Sequence, residues 1–206
     1  MPSVYDFKPR FQALLRPLVN GCVSLGITPN HLTVAALLGS MAVGSLLVLA
    51  FQHPAWLLML PAWLLVRMAL NAMDGMAARE HGLVTPLGGM LNELGDVLSD
   101  MALYFPLVAL APGLPVPVLL FCFGALLTEF VGVLGQALGA RRHYEGPMGK
   151  SDRALLVGLM GLVSAIWPRL LEWWPYVMWV AAALTLPTLW NRARGALRDL
   201  RGSARA

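Results

Sequence analysis

The chain has 206 residues, of which 58% are hydrophobic and 13% are charged, and its formal net charge is +4. Because soluble domains carry about twice that share of charged residues, the composition excludes an ordinary soluble domain and indicates a membrane protein. The two cysteines, Cys22 and Cys122, lie far apart in apolar surroundings, which favours packing residues over a disulfide or a metal pair. The sequence contains no nucleic-acid-binding motif, so we expect no nucleic-acid partner.

The segment that precedes the first long apolar run, residues 1–20, predicts an amphipathic helix. Its apolar face is formed by Phe7, Phe11, Leu14, Leu15 and Leu18, and its basic residues on other faces are Lys8, Arg10 and Arg16. This pattern is typical of a helix that lies in the membrane interface and contacts membrane lipids. A simple turn ahead of the membrane is the alternative interpretation.

Six apolar segments follow, each near the length of about 20 residues that crosses a bilayer as a helix. Proline, glycine and short polar stretches mark the connections between them. The predicted helices cover residues 31–51, 55–79, 87–109, 115–139, 152–167 and 173–190. The sequence therefore predicts an all-α polytopic membrane protein with one domain over 1–206. Its parts are the interfacial helix, a six-helix core over 31–190 and a basic tail over 191–206.

The distribution of basic residues predicts the orientation of these helices. Six spans place both termini on one side, and that side holds thirteen of the fifteen Lys and Arg residues, all except Arg67 and Arg169. Basic residues concentrate in cytoplasmic loops of membrane proteins. We therefore expect both termini to be cytoplasmic, in a membrane of the bacterial inner-membrane type.

Polar residues recur at helical spacing where the second predicted helix ends and the third begins. Residues 71–79 read Asn-x-x-Asp-Gly-x-x-Ala-Arg, and residues 88–96 read Gly-x3-Asn-x3-Asp. The polar positions of each stretch fall on one helix face. Because charges inside apolar segments are costly, they mark functional sites, and oxygen side chains are the ligands that Mg²⁺ prefers. We therefore expect a cytoplasmic site for divalent metal and phosphate.

This run resembles the signature of the CDP-alcohol phosphatidyltransferase family, D-x2-D-G-x2-A-R-x8-G-x3-D-x3-D. The matching residues, with the eight-residue gap, are Asp74, Gly75, Ala78, Arg79, Gly88 and Asp96. Asn71 and Asn92 stand where the signature has aspartates. The resemblance implies a six-helix membrane fold, usually a homodimer. It also implies transfer of a phosphatidyl group from CDP-diacylglycerol to an alcohol acceptor with release of CMP, in phospholipid synthesis.

The resemblance also implies roles for single residues. Asp96 is expected to be the base that activates the acceptor hydroxyl. The expected ligands of Mg²⁺ or Mn²⁺ are Asp74, Asp96, Asn71 and Asn92. The donor nucleotide is expected at Asp74, Gly75, Ala78, Arg79 and Gly88. The stretch Pro29-Asn30-His31-Leu32-Thr33 is similar to a Pro-Asn-x-x-Thr element of the family, so Asn30 and Thr33 are expected near the nucleotide as well.

The segment that opens the fifth predicted helix is basic. Family members often bind the acceptor's phosphate or polar head in this region, so Lys150 and Arg153, with Arg141 and Arg142 behind them, are expected to contact the acceptor. Contact with anionic lipids is the alternative. Glycerol 3-phosphate is the first candidate for the acceptor, and serine, inositol phosphate or another alcohol also fits. Glu129, in the fourth predicted helix, fits either an acceptor contact or a structural hydrogen bond.

The two asparagines remove half of the carboxylates of the signature. Our hypothesis is that the site holds one Mg²⁺ or Mn²⁺ strongly and a second ion only with substrate bound. Glu93 and Asp100 are candidate compensating acids, although either could instead form a structural pair with Arg67. The alternative function is that of a catalytically weakened relative, which binds a CDP-lipid or a headgroup as a regulator or scaffold.

Overall fold

The computed structural model describes residues 4–203 of the chain, with side chains for residues 10–202. Its α-helices are α1 Val4–Ser24, α2 Pro29–Leu46, α3 Met59–Glu80, α4 Pro86–Tyr104, α5 Pro115–Ala137, α6 Lys150–Ile166 and α7 Trp174–Ser203. Short 3₁₀ segments lie at Leu47–Phe51, Pro54–Leu58, Phe105–Ala109 and Pro168–Trp173. Residues 4–203 contain no β-strand, which confirms the all-α class.

Three helical segments among the described residues are long and apolar enough to cross a membrane. They are Pro29–Phe51, Pro54–Glu80 and Pro115–Ala137, and they agree with the first, second and fourth predicted spans to within a few residues. The third predicted span corresponds to α4, which is interrupted by three acidic residues. The fifth corresponds to α6, which has only 17 residues. The six-span topology therefore remains a prediction.

The last helix is longer than the predicted span. The sequence places the end of the apolar part at residue 190, but α7 continues to Ser203 and contains Pro187 in its interior. The residues after the apolar part are mostly Arg, Ala and Leu, which are strong helix formers. The segment 191–203 is therefore helical up to its last described residue.

Two prolines that lie within the second and third predicted spans, Pro61 and Pro106, fall at helix ends in the structure. Pro61 falls in the first turn of α3, where the missing N–H would have no intrahelical partner in any case. Pro106 lies beyond the end of α4, in the 3₁₀ segment Phe105–Ala109. Neither proline therefore interrupts the hydrogen bonds of a helix interior.

The chain divides into two compact units, Met1–Val43 with Ala62–Asp100 and Gly44–Pro61 with Met101–Ala206. The first unit contains α1 and most of α2, α3 and α4. Its core cluster consists of Leu15, Val19, Leu32, Met73, Met76 and Ala77. Van der Waals packing of these side chains holds α1 against α2 and the second half of α3.

The predicted apolar face of α1 is divided between core and surface. Leu15 is buried, whereas Leu14 and Leu18 are exposed. Arg16 pairs with Glu80 at 2.9 Å and so joins α1 to the end of α3. The expectations for Phe7 and Lys8 concern side chains outside those that the structure describes. The interfacial position of α1 remains a prediction.

In the second unit, α5 and α7 approach closely at glycines of α5. A Cβ on Gly124 would collide with the side chain of Thr185, and a Cβ on Gly135 would lie 2.8 Å from the Cβ of Ala196. Small residues let the backbones of membrane helices come together in this way. Cys122 of α5 is buried.

Candidate active site

A tight connection brings α4 back beside α3. Gly82, just after α3, has a φ of +67°, a left-handed conformation that glycine adopts without steric cost. Thr85 caps α4, because its hydroxyl accepts a hydrogen bond from the N–H of Gly88 at 3.0 Å. The chain thus reverses within a few residues, and the two polar stretches of the motif lie on neighbouring helices.

The polar faces of α3 and α4 meet, as their spacing predicts. Asn71 Nδ2 donates a hydrogen bond to Asp96 Oδ1 at 3.0 Å. One turn earlier on α3, the buried guanidinium of Arg67 donates to Asp100 Oδ1 at 2.6 Å and to the main-chain oxygen of Asp96 at 2.9 Å. The terminal nitrogen of Arg67 that contacts the main-chain oxygen of Asp96 also lies 3.6 Å from Asp96 Oδ1. The sequence offers Glu93 and Asp100 as partners for Arg67, and the structure shows the pair with Asp100.

The start of α2 contributes to the same site. Thr33 donates its hydroxyl hydrogen to Asp74 Oδ2 at 2.8 Å, in a buried contact between α2 and α3. A Cβ on Gly88 would lie 2.9 Å from Asn30 Oδ1, and a Cβ on Gly95 would lie 3.3 Å from Thr33 Cγ2. The structure therefore brings both residues of the Pro-Asn-x-x-Thr element next to motif residues of α3 and α4.

Gly75 lies under the side chain of Arg79. A Cβ at position 75 would be 3.1 Å from one terminal nitrogen of the Arg79 guanidinium and 3.2 Å from the other. The absence of a side chain at Gly75 lets this exposed cation lie against the helix, where it can meet an anion. Ala78, on the same helix, is partly buried.

The other predicted acids and amides of α4 are located as follows. Asn92 and Glu93 are partly buried one turn before Asp96. Asp100 is buried and pairs with Arg67, so its contact in the structure is with a cation of the protein. This pairing fits the structural interpretation of Asp100 rather than the role of a compensating metal ligand.

The oxygen donors of this site fit a divalent cation that is shared with a substrate. In the described part of the chain, no group of three or more His, Cys, Asp or Glu side chains could enclose a metal ion. Mg²⁺ often binds through one or two carboxylates and completes its shell with water and substrate phosphates. Asp74 and Asp96, with the amides of Asn71 and Asn92, supply this kind of incomplete oxygen set.

A second polar cluster, within the second unit, surrounds Glu129 of α5. Three arginines pair with its carboxylate: Arg142 at 3.2 Å, Arg153 at 2.9 Å and Arg192 at 3.3 Å. The side chains of Arg153 and Arg192 are 0% and 1% exposed. Thr128 adds its hydroxyl as an acceptor for Arg153 and its main-chain oxygen as an acceptor for Arg192. We call these four ionic side chains the Glu129 cluster.

The Glu129 cluster carries more positive than negative charge. Three guanidinium groups against one carboxylate leave a formal excess of two positive charges (3 − 1 = 2). Nε of Arg192 is buried without a hydrogen-bond partner among the described residues. Buried cations are costly unless they are paired, and arginine forms strong, often bidentate hydrogen bonds to phosphate. The cluster is therefore suited to an anion.

The structure brings together some of the predicted acceptor residues and separates others. Arg142 and Arg153 belong to the Glu129 cluster, whereas the exposed Arg141 pairs with Asp199 of α7 at 3.1 Å. Lys150 is partly buried at the start of α6. Sequence reasoning missed Arg192, which it counted as a tail charge. Its spacing of four residues from Thr188, on the same helix face, was the available signal.

A histidine fixes the connection between α5 and α6 to α7. Nδ1 of the buried His143 lies 3.1 Å from a carboxylate oxygen of Glu145, and its Nε2 lies 3.1 Å from Asp199 Oδ2. Contact with Glu145 and then with Asp199 raises the pKa of His143 above its ordinary value of 6.5. Hydrogen bonds from Arg141 lower the pKa of Asp199 to about 2.

These contacts predict an alkaline loss of stability. A raised folded-state pKa means that the contribution of His143 is complete below about pH 6.5 and is lost as the pH rises through that raised pKa. The contribution of Asp199 is complete above its ordinary pKa and is lost only as the pH falls toward about 2. We expect the midpoint temperature of thermal unfolding in detergent to decrease as the pH is raised from about 6 to about 9. This fall should be smaller in His143→Gln, and parallel curves for the two proteins would contradict the assignment.

Comparisons with known proteins agree with these observations. A family model described as CDP-alcohol phosphatidyltransferase matches residues 26–187. The inner membrane protein YnbA of Escherichia coli K12 is 48% identical over 195 residues, which cover 95% of this chain and 96% of YnbA. The archaetidylinositol phosphate synthase of Aeropyrum pernix is 29% identical over 152 residues, which cover 71% of this chain and 73% of that protein.

Solved structures of one protein share the fold. Phosphatidylinositol phosphate synthase (PgsA1) of Mycobacterium tuberculosis with CDP-DAG bound has a TM-score of 0.74 at 22% identity, over 87% of this chain and 92% of that chain. The same protein in complex with manganese and citrate has a TM-score of 0.74 over 88% of each chain. The family model covers most of this sequence and includes the whole motif. The chain therefore belongs to the CDP-alcohol phosphatidyltransferase family.

Proposed function

We propose that this protein is a metal-dependent transferase that moves the phosphatidyl group of CDP-diacylglycerol to the hydroxyl of a phosphate-bearing alcohol and releases CMP. The observation that carries the proposal is the contact of Asn71 with Asp96 and of Thr33 with Asp74. These contacts join three separate motif segments in one polar site inside apolar helices. An inert membrane protein would have no reason to bury this set of groups.

The donor is held by the site of α2, α3 and α4. Asp74 and Asp96, with Asn71 and Asn92, would hold Mg²⁺ or Mn²⁺, which would neutralise diphosphate charge and make CMP a better leaving group. Arg79, lying over Gly75, pairs with a phosphate of the donor. The nucleotide contacts small or polar residues near Arg79, which are Ala78, Gly88, Asn30 and Thr33.

Asp96 is the proposed base of the reaction. The acceptor hydroxyl oxygen forms a bond to the phosphorus that carries the diacylglycerol, and the bond from that phosphorus to the oxygen shared with CMP breaks. The hydroxyl proton passes to an oxygen of Asp96, and CMP leaves with the bonding electron pair. The hydrogen bond from Asn71 to Oδ1 of Asp96 holds this carboxylate in a fixed orientation.

The Glu129 cluster is the proposed site for the phosphate of the acceptor. Its formal excess of two positive charges matches a phosphate monoester, which carries up to two negative charges near neutral pH. The proposal is supported by relatives whose names specify a phosphate-bearing product, such as phosphatidylinositol phosphate synthase of Mycolicibacterium smegmatis. Lys150 and Arg141 lie near the cluster in sequence and serve as secondary acceptor contacts. Glycerol 3-phosphate and inositol phosphate both belong to this acceptor class.

We also propose the setting in which the reaction takes place. The protein crosses a bacterial-type inner membrane with six spans, its termini and both substrate sites face the cytoplasm, and it acts as a homodimer. The three apolar segments of suitable length and the relative described as an inner membrane protein support a membrane location. The concentration of Lys and Arg in the predicted cytoplasmic segments supports the orientation.

The test is release of CMP from CDP-diacylglycerol by the purified protein with Mg²⁺ or Mn²⁺. Acceptors are supplied in matched pairs, each phosphorylated alcohol beside the same alcohol without phosphate, for example glycerol 3-phosphate and glycerol. We expect CMP release with one phosphorylated alcohol and background release with its partner. Binding of CDP-diacylglycerol without CMP release for any acceptor would instead support the regulator or scaffold function, with Asn71 and Asn92 as its cause.

A further inference from the structure

The surroundings of Asp96 already contain a cation. Oδ1 of Asp96 accepts the hydrogen bond from Asn71 at 3.0 Å and lies 3.6 Å from a terminal nitrogen of Arg67. Arg67 is itself held by Asp100 at 2.6 Å and by the main-chain oxygen of Asp96 at 2.9 Å. Because both of its terminal nitrogens are held in this way, the guanidinium of Arg67 has a fixed position beside Asp96.

An aspartate at position 71 would change the electrostatics of this contact. Two carboxylates about 3 Å apart repel each other and cannot both stay ionised without a cation or a shared proton. Asn71 avoids the conflict, because its amide donates a hydrogen bond where a second carboxylate would need a metal ion between the two groups. The amide and the guanidinium thus provide two protein groups that stabilise the charge of Asp96.

The formal charges lead to the same conclusion. A motif with four aspartates carries four negative charges, which two divalent cations would balance. Here asparagine replaces two of those aspartates, and the charges of Arg67 and Asp100 cancel, so Asp74 and Asp96 leave a formal charge of −2. One divalent cation balances this charge.

We propose that Arg67 and the amide of Asn71 take the place of a second divalent cation beside Asp96, so that this chain binds one divalent cation and not two. The inference rests on the proposed function for the identity of the site. It assigns Arg67 as a positioning residue, which acts on Asp96 and contacts no substrate. Its test requires no turnover, so it can fail or succeed independently of the transferase activity.

The test is a Mn²⁺ titration of the purified full-length protein without nucleotide, with free Mn²⁺ measured by electron paramagnetic resonance. We expect one Mn²⁺ per chain in the natural protein. Asn71→Asp should bind a second Mn²⁺, because two carboxylates then face each other. The matched control is Asn20→Asp, which makes the same change in charge on α1, where Asn20 contacts His81; it should keep one ion.

Variants of Arg67 test the other half of the inference. Arg67→Lys keeps the charge and should still bind one Mn²⁺. Arg67→Gln leaves Asp96 and Asp100 without their cation, so it should bind a second Mn²⁺, and its unfolding midpoint should rise with Mn²⁺ more than that of the natural protein. If Arg67→Gln does not fold, the number of Mn²⁺ ions that Asn71→Asp binds per chain tests the proposal.

Three results would overturn the proposal: two ions of comparable affinity in the natural protein, no bound ion in it, or a single ion in Asn71→Asp. The assay of CMP release tests the proposed function separately from the number of bound ions. A natural protein that binds one Mn²⁺ and releases no CMP would keep the inference about Arg67 and remove the transferase.

Discussion

Replacing Asp96 with asparagine is expected to slow CMP release by about 10²- to 10⁴-fold, the range for loss of a positioned general base. The amide cannot take the proton of the acceptor hydroxyl. Its side-chain oxygen can still accept the hydrogen bond from Asn71, and the main-chain oxygen of residue 96 still meets Arg67. The loss should therefore appear in kcat at saturating acceptor and donor, with folding retained.

The control for this substitution is Glu172→Gln. It makes the same change from carboxylate to amide at an exposed residue that has no part in the proposed chemistry. We expect its CMP release to stay within about twofold of the natural protein, since surface substitutions usually change little. Near-normal turnover in Asp96→Asn would remove Asp96 from the role of base.

Replacing Glu129 with glutamine is expected to produce the largest loss of stability. The carboxylate is the shared partner of Arg142, Arg153 and Arg192, and the last two side chains are fully buried. Removing one partner of a buried ion pair costs about 3–5 kcal/mol, because the remaining charge is left uncompensated. The measurement is the free energy of unfolding in mixed detergent micelles, with Glu172→Gln at an exposed glutamate as the control.

Inorganic phosphate should restore part of this stability. Without the charge of Glu129, three arginines remain for an anion, and an anion that binds only the folded state stabilises it by mass action. The stabilisation by phosphate should be larger in Glu129→Gln than in the natural protein and absent with a neutral osmolyte at the same concentration. Natural stability in Glu129→Gln, or no response to phosphate, would show that the cluster is not a buried anion site.

The architecture of this protein follows largely from its apolar segments. Long apolar runs bounded by proline and glycine can be located in a sequence because the membrane requires them. The predicted second span, 55–79, corresponds closely to Pro54–Glu80. The end of α7 was predicted poorly, because hydropathy marks where an apolar run stops and gives no information on whether the helix continues in polar residues.

The candidate site was predictable to the extent that spacing defines it. Helical periodicity places Asn71 and Asp74 on one face of α3 and places Asp96 on one face of α4. The hydrogen bond from Asn71 to Asp96 agrees with the expectation that these two faces meet. Which partner each residue chooses depends on tertiary packing. The pair of Arg67 with Asp100 was one of two alternatives in the sequence, and only the packing of α3 against α4 selects it.

The Glu129 cluster was the least predictable part of the molecule. Its members come from α5, from the connection before α6, from α6 and from α7, so the pairs join residues far apart in the chain. A basic residue at a membrane edge is explained by topology alone, which is why Arg192 was counted as a charge of the tail. The formal imbalance of three arginines against one glutamate appears only when the helices are assembled.

If this protein joins a phosphatidyl group to a phosphate-bearing alcohol, as we propose, the mass of the lipid product will show it. The purified protein is incubated with CDP-diacylglycerol, Mn²⁺ and the phosphorylated alcohol that supports CMP release, and the lipids are analysed by mass spectrometry. We expect a lipid that contains both the phosphatidyl group and the intact phosphorylated alcohol, formed in equal amount to CMP. Phosphatidic acid as the only product, or unchanged CDP-diacylglycerol, would contradict it.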